Sequence, residues 1–170
     1  FDKSYELIVL GKTIFVPSMV SDRITAYDTD TGNEKWRFYS DGPVRFAPVA
    51  WKGKLYFVSD DGYLYCLNAR NGSLIWKFRG GHSERKILGN DRLISDLPAR
   101  GAPVLYDEKI YFGASIWPFM GAFIHCLDAQ TGRGIWSNSG TGSLYVPQPH
   151  NHPAFSGISP QGYFAATEQQ

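Results

Sequence analysis

The residues able to hold a metal or do chemistry are few and scattered. DTDTGNEKW, residues 28–36, sets Asp28 and Asp30 beside Gly32 in the manner of a calcium loop. Calcium wants roughly six to eight oxygens, with a late bidentate Glu in the loop, and this stretch does not supply them. PQPHNHPAF places His150 and His152 two residues apart in a Pro-rich stretch, and His82 and Glu84 stand on another polar stretch. Two imidazoles can begin a zinc or copper site, but such a site needs further ligands. Cys66 and Cys126 are far apart, and neither belongs to a CxxC pair. Glu84, Asp91 and Asp96 lie along one stretch without the paired placement that glycoside chemistry requires. No GxSxG, HExxH or P-loop pattern occurs.

Residues suited to recognition are easier to find. Arg45 and Arg100 stand just before two similar apolar segments, RFAPVAW (45–51) and RGAPVLY (100–106), and Lys3 precedes a third, YELIV (5–9). Guanidinium groups repeated in this way suit a carboxylate or phosphate. Trp117 and Phe119 flank Pro118 in SIWPFMG, where exposed aromatics can stack on a sugar ring or dock a partner.

These residues are positioned by an internal repeat. KTIFVPSMVSDRITAYDTDTGNEKWRF (12–38), KLYFVSDDGYLYCLNARNGSLIWKF (54–78) and KIYFGASIWPFMGAFIHCLDAQTGRGIW (109–136) share one plan. Each runs apolar strand, turn, apolar strand, Asp or Asn, two residues, Thr-Gly or Asn-Gly, then Trp four residues after the Gly. Trp36, Trp76 and Trp136 are spaced by 40 and 60 residues, and Gly32, Gly72 and Gly132 keep the same intervals. DTDTGNEKW is therefore one copy of a unit whose second copy, NARNGSLIW, has no such carboxylates. It is expected to be a hairpin turn, with Gly supplying positive φ and Asp or Asn capping it.

With the preceding apolar segments, each unit has four strands, a to d. For the second unit they are expected near 46–50, 54–59, 63–68 and 73–79. A fourth unit is expected from 154, with FSGIS as strand a and GYFAAT as strand b. Four strands in about 40 residues indicate propeller blades. The three Trp residues are expected to wedge between blades and the three Gly residues to serve the turns. Cys66 and Cys126 fall at equivalent places in LYCLN and IHCLD. They should lie on the order of 10 Å apart, beyond the roughly 7 Å Cα limit of a disulfide, as free buried thiols.

The unit DGYLYCLNARNGSLIW resembles the PQQ-like repeat of quinoprotein-type β-propellers, a group that includes quinoprotein alcohol dehydrogenases and BamB-like outer-membrane assembly scaffolds. The resemblance implies an all-β fold of four-stranded antiparallel blades, at 5–39, 44–79, 100–137 and an incomplete 154–170. These would form part of a ring of about seven or eight blades. It also implies a periplasmic or secreted setting. For the dehydrogenase branch it implies PQQ over calcium, with a vicinal Cys-Cys disulfide, a stacking Trp and a Glu/Asn/Asp set. This sequence has no adjacent cysteines and no segment matching that set.

Composition agrees with a β fold and narrows the partners. Of 170 residues, 15% are aromatic, with 18 Gly and 10 Pro, as expected for short strands and tight turns. Formal charge is +1, without the basic footprint of a nucleic-acid binder. No apolar run approaches the roughly 20 residues that span a bilayer. FDKSYELIVL already reads as domain interior, so the chain is expected to be a section of a longer one.

In a propeller, strand a lines the channel, so the d-to-a connections and b–c hairpins share a top face. The a–b and c–d turns share the bottom. Bottom turns here are short and alike, whereas the top carries long stretches near 79–99 and 138–153 and the enlarged SIWPFMG hairpin. Function is expected at that top face, as a non-catalytic binding or scaffold module. The expected partners are the rest of the propeller or another chain, with a small anion or glycan as candidate ligands. A PQQ-dependent oxidoreductase and a carbohydrate-binding propeller are the alternatives.

Overall fold

The computed structural model describes residues 6–89, 91–140, 144–147, 153–156 and 159–168, with backbone alone for 144–147 and 153–156. Three sheets follow one another along the chain, each with four antiparallel strands in sequence order and the third extended by a short fifth strand. The first holds β1 (Ile8–Leu10), β2 (Thr13–Ser18), β3 (Arg23–Asp28) and β4 (Glu34–Tyr39). The second holds β5 (Val49–Trp51), β6 (Lys54–Val58), β7 (Tyr63–Asn68) and β8 (Leu74–Arg79). Between it and the third lies a hairpin of β9 (Lys86–Gly89) and β10 (Arg92–Ser95). The third sheet holds β11 (Gly101–Tyr106), β12 (Lys109–Ala114), β13 (Phe123–Asp128) and β14 (Gly134–Ser139). The fold is all-β, as the repeat predicts.

Strand alternation makes each sheet two-faced. In the second blade Leu55 and Phe57 pack on the first blade, against Phe15, Ile24 and Trp36. Tyr56 and Val58, one residue out of phase, pack on the third, against Ile110, Phe112 and Leu127. The core is thus two inter-blade layers with a small third cluster of Leu97, Ala114 and Phe123, and each fully buried aromatic or aliphatic side chain contributes about 1.5–3 kcal/mol.

The c–d pairs repeat one irregularity. The register shifts by a residue after Ala26, Cys66 and Cys126, which face Trp36, Trp76 and Trp136 across the ladder. The position opposite the indole holds a small side chain, Ala or Cys, which accounts for both cysteines as buried free thiols. Burial pushes the Cys66 thiol up to about 12.

Each indole closes a joint. Trp36 Nε1 donates to the Ala69 carbonyl at 3.2 Å, and Trp76 Nε1 donates to the Gln130 carbonyl at 3.3 Å. The ring lies over the turn glycine of the next blade. A Cβ on Gly72 would meet Trp36 Cε3 at 2.5 Å, and one on Gly132 would meet Trp76 Cδ2 at 2.6 Å. Both glycines also have φ +73°, as does Gly32. At the same joint Tyr56 Oη donates to the Ala129 carbonyl at 2.8 Å.

DTDTGNEKW is a turn. Asp28 Oδ1 accepts from the backbone N–H groups of Asp30 and Thr31, both at 3.0 Å, and Asp128 Oδ1 accepts from Thr131 N–H at 2.7 Å. The Lys35 ammonium and the Thr31 N–H lower the Asp28 carboxyl to about 2.

FSGIS (155–159), the expected strand a of a fourth unit, is placed differently in its first two residues, and residues 157–158 lie outside the described residues. β15 (Leu144–Pro147) and β16 (Pro153–Ser156) pair with each other as a separate hairpin. The expected strand b contributes β17 (Gly162–Tyr163), which joins the inner edge of β11 in parallel. Phe164 follows and packs where side chains on Gly101 and Gly113 would stand, so two glycines at one edge make the gap that receives it.

Candidate binding face

Hydrogen bonds sort the loops by end. At the bottom the c–d turns bond the a–b turns: Ala69 N–H donates to the Gly53 carbonyl and Ala129 N–H to the Glu108 carbonyl. At the top the d-to-a connections bond the b–c turns: Asp60 N–H donates to the Pro43 carbonyl, Ser95 N–H to the Asp60 carbonyl and Ser115 N–H to the Pro98 carbonyl. Two of the additions to the repeat lie at the top, the β9–β10 hairpin and a single 3-10 turn, Pro118–Met120.

Arg45 and Arg100 come together there. Both guanidinium groups bind one carboxylate: Arg45 Nε donates to Asp60 Oδ2 at 2.7 Å, and Arg100 donates through Nε to Oδ1 at 3.0 Å and Nη2 to Oδ2 at 2.9 Å. The Asp60 side chain is 1% exposed. The anion expected from solvent is thus supplied by the b–c turn of the second blade, and the cluster ties the entrances of two inner strands. Lys3, the third member of the expected cationic series, lies outside the described residues.

Beside this clamp Asp61 is also buried. It accepts from Tyr65 Oη at 2.5 Å and from the Tyr63 N–H at 3.0 Å, yet desolvation outweighs these donors and raises its pKa. The hairpin reaches back across the top, where Arg92 donates to the Val20 carbonyl at 2.6 Å and pairs with Asp22. Its outward side chains Leu88 and Leu93 form a cross-strand pair and are exposed.

Trp117 and Phe119 stand on the 3-10 turn, 51% and 48% exposed. Their rings stack at 5.9 Å, so each lends one face to the other. The metal candidates do not assemble: His82 packs edge-on to Phe123 at 5.4 Å, Glu84 pairs with Arg79, and His150 and His152 lie outside the described residues. Among the described residues no three His, Cys, Asp or Glu gather as a metal would need.

His125, which sequence reasoning passed over, sits in the second joint where Tyr65 and Thr25 sit in the preceding blades. Nε2 lies 2.6 Å from the Gly80 carbonyl, which can only accept, so Nε2 carries the proton and Nδ1 accepts from Ser137 Oγ at 2.8 Å. Desolvation lowers its pKa and outweighs the Gly80 carbonyl, which raises it.

The PQQ–calcium pair implied by the resemblance does not fit these residues. Cys66 and Cys126 belong to different blades, the two arginines already share Asp60, and the carboxylates do not cluster.

Comparison with known proteins follows the same lines. The family profile described as "Outer membrane protein assembly factor BamB" matches residues 6–143. The dehydrogenase subunit of the alcohol dehydrogenase (quinone) of Gluconobacter oxydans is 30% identical over 144 residues, covering 77% of this chain. This chain spans only 18% of that relative's length. Quinohemoprotein alcohol dehydrogenase from Comamonas testosteroni superposes on 89% of the chain with a TM-score of 0.66 at 24% identity, over 22% of its own length. BamB from Moraxella catarrhalis superposes on 95% with a TM-score of 0.51 at 14% identity, over 66% of its own length. These likenesses establish the β-propeller architecture. No helix among the described residues is long and apolar enough to cross a membrane.

Proposed function

The chain belongs to the PQQ-repeat family described as outer membrane protein assembly factor BamB, and from that premise we propose that it is a binding and scaffold section of a propeller acting outside the cytoplasm. One observation carries this reading. The bottom turns repeat, while the β9–β10 hairpin and the Pro118–Met120 turn are carried at the top, where the d-to-a connections bond the b–c turns. A rigid platform with variable loops on one side is how repeat scaffolds present a binding surface. The exposed side chains of Leu88, Leu93, Trp117 and Phe119 supply apolar contact area for a polypeptide partner.

The quinone-dependent relatives favour a second reading, in which this segment is part of an oxidoreductase and the quinone is held by other residues of the ring. Titration with PQQ in the presence of calcium chloride separates the two. The scaffold reading expects no saturable change in quinone absorbance and no dye-linked alcohol oxidation. Saturable binding with turnover would replace it with the second. A glycan array probed with the parent and Trp117→Ala decides the sugar alternative, which requires parent signals that the variant loses.

A further inference from the structure

The β9–β10 hairpin has one seated edge and one bare edge. Asp96 N–H donates to the Arg85 carbonyl at 3.0 Å, which makes Arg85–Asp96 a hydrogen-bonded pair in the register of the hairpin. Such pairs alternate along an antiparallel ladder. Ile87 and Ile94 therefore bond each other across the hairpin, and the N–H and carbonyl groups of Lys86, Leu88, Leu93 and Ser95 point away from it. On β10 the outward Ser95 N–H donates to the Asp60 carbonyl at 2.8 Å, and Arg92 holds Val20 and Asp22, so that edge rests on the tops of the first two blades. On β9 the outward groups of Lys86 and Leu88 have no backbone partner among the described residues, and the hairpin is a sheet of two strands. Its two faces also differ. Ile94 is buried beneath, while Lys86, Leu88 and Leu93 share the exposed face.

We propose that the bare edge of β9 takes an extended, acidic polypeptide segment as a third strand, with a carboxylate beside Lys86 and an apolar side chain beside Leu88. This rests on the scaffold reading and names its class of partner. The segment's main chain binds the outward groups of Lys86 and Leu88, which is where strand addition gains its affinity. Its side chains on the solvent face lie next to those of β9, so an apolar residue there extends the Leu88–Leu93 pair. Charge selects the occupant. Arg85 and Lys86 are exposed and form no ion pair among the described residues, whereas Glu84 is taken by Arg79. An acidic strand answers both cations. A second copy does not, because β9 against β9 sets Arg85 and Lys86 near their own counterparts, the juxtaposition by which edge lysines prevent self-pairing. The hairpin interrupts the repeat between the second and third blades and takes no part in the Trp–Gly joints, so its edge is separate from closure of the ring.

Calorimetric titration and amide hydrogen exchange on the intact protein test this. The probe is a synthetic peptide of about eight residues that alternates Val and Thr around a central Glu. Binding is expected, with exchange at the Lys86 and Leu88 amides fast in the free protein and slowed by the peptide. Slow exchange there without peptide would mean that the protein covers its own edge, and would overturn the proposal. A peptide with Lys in place of the Glu should bind about threefold more weakly, and Lys86→Glu should reverse that order. Leu88→Pro removes an N–H that the hairpin's own ladder does not use, a change that edge strands accept, and should weaken binding about tenfold. Protection kept at Ile87 and Ile94 would show the variant hairpin intact. Full affinity in Leu88→Pro with loss in Leu88→Ser would mean docking by side chains, which sinks the added strand and leaves the scaffold reading standing. No binding at millimolar peptide, or an unchanged charge order in Lys86→Glu, would also overturn the proposal. Failure of the scaffold reading shows elsewhere, in the quinone titration.

Discussion

Trp36 and Trp136 are the same residue of the same repeat in different surroundings. Trp36 is 9% exposed, bonded to Ala69 and pressed on Gly72, whereas Trp136 has no further blade against it among the described residues and is 42% exposed. Their local ladders are alike, each indole standing across from a small residue beside a one-residue bulge. Strand pairing therefore puts the indole in place without the joint. Only a neighbouring blade turns that placement into stability.

The largest expected contrast is between the two Trp→Ala variants. Trp36→Ala should cost about 3–5 kcal/mol, the range for a buried aromatic, and Trp136→Ala less than about 1 kcal/mol in the 170-residue chain. Urea unfolding of both measures it, and equal losses would break the comparison. Next is Asp60→Asn, which leaves two guanidinium groups facing each other without their carboxylate. A loss of about 2–3 kcal/mol is expected, discounted from the fully buried case because both arginines keep some contact with water. Arg45→Met in the Asp60→Asn background should recover part of it.

A smaller contrast separates two tyrosines. Tyr56→Phe leaves the buried Ala129 carbonyl without its donor and should cost about 1 kcal/mol, whereas Tyr111→Phe, at the open face, should be near neutral. The smallest effect expected is a pH slope. His125 has its pKa lowered in the fold, so below the ordinary value of 6.5 the unfolded chain binds the proton more readily. The neutral imidazole's contribution is complete above that value and is lost as pH falls through it toward the lowered folded value. Unfolding followed at several pH values should show stability falling from pH 7 toward 5, with a shallower slope in His125→Gln.

Much of this was legible in the sequence because it is periodic. The strands of the second blade, the turn glycines and the inter-blade Trp residues follow from spacing alone, since an indole and a φ-positive glycine recur only where one geometry recurs. Asp60 was not legible: VSDDG reads as an ordinary polar turn, and nothing local says that two arginines, one of them 40 residues away, converge on it. The β9–β10 hairpin was missed because KILGNDRLIS sits inside a polar insertion without the repeat's turn signature. GYFAAT was expected as strand b because it is apolar and follows a turn. Its actual place depends on an edge left open by Gly101 and Gly113, a tertiary vacancy with no trace in GYFAAT itself.

The carboxylate shared by Arg45 and Arg100 has a mechanical consequence. Tilting one blade against the next would pull a guanidinium off a nearly dry charge, so the second and third blades swing as one body at that rim. The lumen keeps a fixed gauge there, and adaptation to whatever lands on the platform falls to the hairpin and the aromatic turn.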